Sequence, residues 1–251
     1  MKKISILTLA CVAIALTPSS AHAGLINGSQ LNISGDATVF ATAINWKCDQ
    51  PGDTVCTAVP PPANKGDFSV TSSSGSFAPY NGTFGLITNI NNAAQPLNQM
   101  FSLPNFLTFD LVTANNLTME LQFIPLGTDT LSTTCAGITH CTPQNSALNT
   151  PSNPNGISAF NLDQNGTGTA ASFGVIGLIH AQDGSTAPIS GIFTAQFNGL
   201  NPQQVLALTV SGANSTYSSN LSLTIVPEPT TLLLTGLGLI GLSILGRKVR
   251  S

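Results

Sequence analysis

Strict alternation of apolar and polar residues marks the centre of this 251-residue chain. Between positions 117 and 124, leucine, methionine and phenylalanine alternate with threonine, glutamate and glutamine. A period of two places the first set on a core face and the second in water, which predicts a β-strand. The segment 105–112 precedes it, and the turn sequence Ala114-Asn115-Asn116 separates the two, so a β-hairpin is predicted.

The same period predicts further strands along the chain. Phe193, Ala195 and Phe197 define one inward face, and Leu221, Leu223 and Ile225 define another within 217–225. Asn201 as a helix cap and Pro202 at the first helical position predict one short helix over 202–209, with a strand as the alternative. Five further apolar segments are predicted strands: 37–46, 66–70, 83–90, 157–162 and 171–180.

These elements predict a mainly β fold. About nine short strands separated by Gly, Pro and Asn turns are typical of a single antiparallel β-sandwich or jelly-roll-like domain. Strands do not alternate with long helices, which argues against an α/β fold. Two stretches, 48–66 and 127–155, are predicted to be long loops.

The amino terminus has the three parts of a secretory signal peptide. Lys2 and Lys3 precede an apolar stretch over 4–16, and Ala21-His22-Ala23 supplies the small-x-small site that signal peptidase requires. A membrane anchor or a buried helix is the alternative, but the stretch is short for either. The signal peptide is therefore predicted at 1–23, with an extracellular β domain over 24–226.

The carboxyl terminus predicts a membrane helix. Positions 230–246 carry no charge, and their 17 residues would span about 25 Å as a helix, at the lower limit for a bilayer core. Arg247, Lys248 and Arg250 follow at once, and such a basic cluster stays in the cytoplasm. This stop-transfer cluster within 247–251 places the rest of the chain outside the cell, the same orientation that the signal peptide predicts.

A short motif precedes this helix. Pro227 and Pro229 flank Glu228, and neither proline can join a helix ladder, so the motif is predicted to be extended and exposed. The tail 227–251 resembles the PEP-CTERM sorting signal, which combines a Pro-Glu-Pro motif, a short helix rich in Gly and Leu, and a terminal basic cluster. A plain tail anchor with a chance motif is the alternative.

The resemblance implies a route of export and a type of protein. Proteins with this signal are processed near the motif by exosortase, a membrane-embedded cysteine protease, in species that make exopolysaccharide, and many are surface or biofilm-matrix components. The resemblance thus implies export through the inner membrane, anchoring by the tail until processing, and then release to the cell surface or the extracellular space. Exosortase, signal peptidase and exopolysaccharide are the partners it implies.

Charge limits the partners of the predicted domain. Positions 24–226 hold nine acidic residues against Lys47 and Lys65, a net charge of −7. Two lysines cannot neutralise a row of phosphates, which excludes nucleic acid. An anionic polysaccharide would also be repelled unless a divalent cation bridged the two.

Four cysteines remain after the predicted cleavage. An even number in an oxidising compartment predicts disulfides. Three connectivities are open, and the spacing favours the local pairs Cys48 with Cys56 and Cys135 with Cys141. A metal site would need a C-x-x-C spacing, which is absent from the sequence.

No catalytic motif is recognisable, so no enzyme activity, cofactor or metal is expected. His180 ends an apolar strand and is interpreted as structural. Asp110 and Glu120 are predicted to face solvent on neighbouring strands. Positions 161–166 resemble the front of a calcium loop without its distal glutamate, so a turn is predicted there.

Three functional hypotheses remain. The first is a structural or interaction protein of the cell surface or extracellular matrix. The second is a carbohydrate-binding module with Trp46, Tyr80 or Tyr217 exposed on one face. The third is a hydrolase, for which the sequence offers only carboxylates of unknown placement.

Overall fold

The structure is a computed structural model that describes residues 25–50, 52, 56, 64–113 and 116–224. These residues form one α-helix, α1 (Pro202–Leu208), and two 3₁₀ helices, Gly75–Tyr80 and Ser146–Leu148. The thirteen strands are β1 (Gln30–Val39), β2 (Ala43–Trp46), β3 (Lys65–Ser73), β4 (Phe84–Thr88), β5 (Ile90–Asn91), β6 (Leu103–Phe109), β7 (Thr118–Phe123), β8 (Thr130–Ser132), β9 (His140–Pro143), β10 (Asn161–Asn165), β11 (Gly168–His180), β12 (Thr186–Asn198) and β13 (Ala213–Leu223).

Eight of the strands close into a barrel. Their order is β12-β13-β1-β3-β4-β6-β7-β11, and β11 pairs in turn with β12, so the sheet returns to its start. All eight pairs are antiparallel. The prediction of a mainly β, antiparallel fold is confirmed, but the predicted sandwich or jelly roll is wrong. One buried face per strand suits both architectures, and only the pairing of β11 with β12 and β7 closes the sheet.

The inward faces of the strands fill the barrel with side chains. Phe193, Ala195 and Phe197 are buried as predicted, and so are Leu221 and Leu223. An aromatic cluster occupies the middle of the barrel, where the ring centroid of Trp46 lies 4.6 Å from Tyr217 and 5.3 Å from Phe193. Burial of such large rings is the main source of stability in a core of this kind.

The two ends of the barrel differ. At the proximal end, β1 begins at Gln30 beside the last residues of β13, and the Gly28 amide donates to the Leu223 carbonyl at 3.0 Å. At the distal end, β1 finishes at Val39 opposite Ala213. The 11 residues of β13 run from the distal to the proximal end, about 35 Å of extended strand. Both ends of the described chain therefore lie at the proximal end.

Each end has its own cover. The 3₁₀ helix Gly75–Tyr80 closes the proximal end, with Phe77 and Tyr80 fully buried. At the distal end β11 divides its pairing between two neighbours: residues 168–172 pair with β10, whereas 176–180 pair with β7. The arm β10-β9-β8 thus leaves the barrel there, and α1 lies beside it.

Most predicted elements are present, with three corrections. In the predicted strand 157–162, only Asn161 and Leu162 lie in a strand, β10. The hairpin of β6 and β7 and the short helix are confirmed, and Asn201 forms a reciprocal capping box with Gln204. The predicted strand 37–46 is wrong, because the chain reverses after Val39 and the Phe40 amide donates to the Ala43 carbonyl. The predicted loop 127–155 is also wrong in part, since it contains β8 and β9, which pair in parallel.

The predicted signal peptide 1–23 and the tail 227–251, with its helix at 230–246, lie outside the described residues. Within the described residues, no helix has the length and apolarity needed to cross a bilayer.

Candidate functional site

The sorting tail is attached to the proximal end of the barrel. The tail residues themselves, Pro227, Glu228, Pro229, Arg247, Lys248 and Arg250, lie outside the described residues. The last described residue, Thr224, donates its amide to the Pro188 carbonyl at 2.9 Å, which fixes the point where the tail leaves. From Thr224 to position 230 the chain can reach at most about 20 Å.

The amino-terminal segment begins at the same end. The Ile26 amide donates to Ser76 Oγ at 2.7 Å, and Ser76 belongs to the 3₁₀ helix that closes the barrel there. Both segments with predicted roles in export therefore join the domain on one side. The opposite, distal end is the one that points away from them.

A groove of about 590 Å³ opens at the distal end, between α1 and the segment 133–146. All of its lining residues are uncharged. Leu206, Ala207 and Val210 provide apolar surface, and hydroxyl and amide side chains surround it. These polar residues are Thr133, Thr134, Gln144, Asn145, Ser146, Gln203 and Thr209.

Two local structures hold the walls of this groove. The disulfide Cys135–Cys141 cross-links the loop between β8 and β9, which confirms the predicted pairing of these two cysteines. On the other wall, the capping box of α1 fixes its first turn, and the buried side chains of Pro202 and Val205 anchor the helix to the barrel. Small side chains on rigid supports suit a preformed binding surface.

The predicted aromatic platform does not exist. Trp46, Tyr80 and Tyr217 are each at most 5% exposed and lie inside the barrel. Trp46 Nε1 donates to the Thr88 carbonyl at 2.9 Å, and the Tyr217 hydroxyl donates to the Asp67 carbonyl at 3.3 Å. Burial raises the pKa of Tyr217 well above its ordinary value. The hypothesis that these rings stack on a sugar is therefore wrong.

The family comparison concerns the tail. A model of the PEP-CTERM protein-sorting motif matches residues 226–250. This chain is a PEP-CTERM domain-containing protein. The motif implies that exosortase, a membrane protein, processes the chain, and that the protein is exported with a membrane-associated carboxyl-terminal signal and then reaches the cell surface. No similar curated protein and no similar solved structure was found.

Two histidines of the described chain are each hydrogen-bonded to a carboxylate. Glu120 accepts a bond at 3.0 Å from His180 Nε2, at the proximal end of β11, and the interpretation of His180 as structural stays a prediction. The Glu120 side chain is only 16% exposed, so the prediction that it faces open solvent is wrong. Hydrogen bonds from Ser102, Gln122 and His180 lower the pKa of Glu120, with Ser102 the largest contributor.

A second pair lies on the distal arm. His140 Nδ1 is 2.7 Å from Asp163 Oδ1, across the β9–β10 pairing, and this bond raises the pKa of His140. Burial and the nearby Asp163 charge raise the pKa of Asp129. The turn predicted at 161–166 is wrong for most of that range, because positions 161–165 form β10 and the chain turns only at Gly166 and Thr167. Within the described ranges, no group of three or more potential ligands is arranged for a metal ion.

Sequence reasoning missed a buried carboxylate. Asp67 is fully buried and accepts bonds from the backbone amides of Asp49 and Gln50 at 3.3 and 3.0 Å. Burial, followed by the charge of Asp36, raises the pKa of Asp49. These bonds orient the chain beside Cys48, which forms the predicted disulfide with Cys56. A lone aspartate in a strand gave no signal of this structural role.

Proposed function

We propose that this PEP-CTERM protein is a non-catalytic interaction or structural protein of the cell surface or extracellular matrix. The observation that carries the proposal is the sorting motif at 226–250, attached to the proximal end of a closed and filled barrel. A domain held by one end presents its other end to the surroundings. The uncharged groove lies at that distal end.

The proposed route has three steps. Signal peptidase removes 1–23, the helix 230–246 holds the chain in the inner membrane, and Arg247, Lys248 and Arg250 stay on the cytoplasmic side. Exosortase then cuts near Pro227, Glu228 and Pro229. The barrel reaches the surface, where exopolysaccharide is among the molecules it meets.

The placement of titratable groups supports a non-catalytic role. A general acid or base must reach substrate with an adjustable proton. Asp67 is buried under two backbone amides, so it cannot reach a substrate. Glu120 and Asp163 pair with Leu178 and Ala170 of β11, which places these two carboxylates too far apart to act together on one bond.

The direct test is the intact mass of the exported protein. The wild type is compared with a variant in which Pro227, Glu228 and Pro229 are all changed to Ala. Thr230→Ala with Thr231→Ala is the control, since it alters the adjacent residues but keeps the motif. We expect a wild-type and a control product that both end near Val226, and a motif variant that keeps its tail in the membrane. An unprocessed tail in all three proteins would overturn the exosortase route.

A second candidate function is the binding of a neutral glycan in the distal groove. The observation that favours it is the uncharged lining, in which hydroxyl and amide groups border an apolar surface. Sugars present the same combination of hydroxyl groups and apolar ring faces. The side chains of Thr133, Ser146 and Gln203 make no hydrogen bond within the part of the chain that the structure describes, so they are available to a ligand.

Titration calorimetry with dextran tests the glycan candidate. Gln203→Ala combined with Thr133→Ala removes two polar groups of the groove and should weaken binding about tenfold. Gln182→Ala, at an exposed position of the proximal end, should leave binding unchanged. Equal affinity in the three proteins would exclude the groove as the dextran site.

A further inference from the structure

We propose that the proximal end is a membrane-contacting surface, on which Ile26, Leu111 and Val112 enter the interfacial layer of the bilayer that holds the tail. The proposal rests on the proposed function, because it requires the tail to be anchored. It adds a defined orientation: the barrel stands on its proximal end until exosortase cuts.

The three side chains are exposed apolar groups at the proximal end of the barrel. Ile26 is 56% exposed, Leu111 is 42% exposed and Val112 is 80% exposed. Two hydrogen bonds hold their segments to the same 3₁₀ helix, Gly75–Tyr80. The Ile26 amide donates to Ser76 Oγ, and the Tyr80 hydroxyl lies 2.8 Å from the hydroxyl of Thr113, the residue after Val112. The exposed groups are therefore displayed on a fixed support.

Strand register places this support beside the exit of the tail. β1 begins opposite the end of β13, and β3 finishes opposite the start of β1 before the 3₁₀ helix follows. The loop that holds Leu111 and Val112 joins β6 to β7, whose first residue pairs with His180 at the end of β11. Since His180 pairs with Thr186 at the start of β12, this loop also lies at the proximal end.

The length of the remaining chain identifies the membrane as the occupant. Five residues, 225–229, separate Thr224 from the apolar segment at 230–246. The distance from Thr224 to position 230 is at most about 20 Å, so an anchored barrel keeps its proximal end near the headgroups. Apolar side chains at that height gain free energy by entering the interfacial layer.

The negative charge of the domain indicates that the proposed membrane contact is made by apolar side chains rather than by ion pairs with lipid headgroups. The domain is acidic, and Asp110 precedes Leu111 directly. Anionic headgroups would repel these carboxylates, whereas a zwitterionic surface would not. We therefore expect contact with phosphatidylcholine that does not weaken as salt is raised, and no gain from added phosphatidylglycerol.

Other exposed apolar residues supply a matched control. Val210, beside α1 at the distal end, is 82% exposed, which nearly equals the exposure of Val112. The two valines therefore differ chiefly in position, since they lie at opposite ends of the barrel. A probe at Val210 experiences the same vesicle sample without the predicted contact.

The experiment uses anchored chain, purified from membranes of cells that lack exosortase and reconstituted into phosphatidylcholine vesicles. All samples carry Cys11→Ser, and either Val112→Cys or Val210→Cys is labelled with an environment-sensitive fluorophore. Lipids brominated near the headgroup quench a fluorophore only on close contact. We expect quenching of the probe at position 112 to exceed that at position 210 by roughly threefold.

Each outcome is decisive. If the chain co-floats with the vesicles but neither probe is quenched appreciably, the proposed membrane contact is wrong, whereas the anchoring of the tail is supported. If both are quenched equally strongly, the barrel lies on its side and the proposed orientation is wrong. If the chain does not float with the vesicles, the anchor in the proposed function fails, and the membrane contact fails with it.

Discussion

The proximal and distal ends of the barrel are closed by different means. At the proximal end the Tyr80 ring stacks on Phe109 with 4.0 Å between centroids, and the Tyr80 hydroxyl accepts a bond from the Leu117 amide. At the distal end, the seven-residue helix α1 and a disulfide-bonded loop cover an arm that leaves the barrel. Small apolar cavities of about 30 and 20 Å³ remain beneath that cover.

The difference follows from what each end has to do under the proposed function. The proximal end joins the barrel to the tail, so it must keep a fixed shape while the chain is anchored and cut. The distal end carries the groove, and a groove requires walls that stand apart. Packed aromatic rings suit the first task, whereas a short capped helix and a covalent link suit the second.

The largest expected effect is at the proximal cover. Tyr80→Ala removes a fully buried ring and its hydrogen bonds, and it should lower the free energy of unfolding by about 4 kcal/mol. Urea unfolding of the secreted protein measures this loss. Tyr80→Phe keeps the ring and removes only the hydroxyl, so it should cost about 1 kcal/mol. Equal losses in the two variants would show that packing is not what closes this end.

The next effect concerns the distal covalent link. Replacing both Cys135 and Cys141 with Ala should lower the free energy of unfolding by about 2 kcal/mol, because the unfolded chain loses a constraint. Hydrogen exchange should rise at β8 and β9, whereas the amides of β6 and β7 stay protected. A uniform rise along the barrel would contradict the separation of the two ends.

A smaller effect is expected from the helix cap. Asn201→Ala breaks the capping box of α1 and should cost about 1 kcal/mol. The substitution should also lower the affinity of the groove for a ligand, because Gln203 lies in the first turn of the helix that the cap stabilises. Asn198→Ala is the control, since Asn198 is exposed at the end of β12. Equal thermal midpoints for the two variants would mean that the cap contributes nothing.

The smallest effects are two responses to pH that differ in sign. The pKa of Glu120 is lowered in the folded protein, so its stabilisation is present above the ordinary value of 4.5 and is lost as pH falls through the lowered value. The pKa of His140 is raised, so its stabilisation is present below 6.5 and is lost as pH rises through the raised value.

Thermal midpoints measured across pH separate the two pairs. Glu120→Gln should flatten the acid side of the profile and leave the alkaline side unchanged. His140→Gln should do the reverse, with a smaller change because the pair is exposed. A variant that altered both sides would show that the two ends are coupled.

Many strands of the barrel could be predicted from the sequence, because the alternation of apolar and polar residues within a strand is a local property. β12 and β13 alternate with a period of two along most of their length, and Met119 and Leu121 of β7 are buried in the same way, whereas Phe123 at the end of β7 is only half-buried. Closure is not local, since it depends on β11 pairing with β7 and β12 through register. Alternation does not determine whether the side chain of a single aromatic residue at the end of a strand points inward, so the sequence left open the carbohydrate-binding hypothesis with Trp46 on the surface.

The candidate sites also divide into those that a local sequence pattern predicts and those that depend on the folded structure. The sorting motif and the disulfides were predictable because each is a short pattern with a chemical requirement. The groove was not, since its walls come from 133–146 and 203–210, two segments far apart in the sequence whose groove-lining residues are uncharged and form no motif. The proximal apolar surface was also missed, because Ile26 and Val112 are far apart in the sequence and are brought to the same end of the barrel only by the strand pairing and by the bonds of their segments to the 3₁₀ helix.

The most direct test of the proposed orientation is cysteine labelling on spheroplasts, in which the outer face of the inner membrane is accessible. A membrane-impermeant maleimide is added to spheroplasts of cells that make Val112→Cys or Val210→Cys, each with Pro227, Glu228 and Pro229 changed to Ala so that the tail is retained. The orientation predicts that position 210 reacts several-fold faster than position 112, and that the difference disappears when the motif is restored and the barrel is released. Equal rates at the two positions in the anchored protein would contradict it.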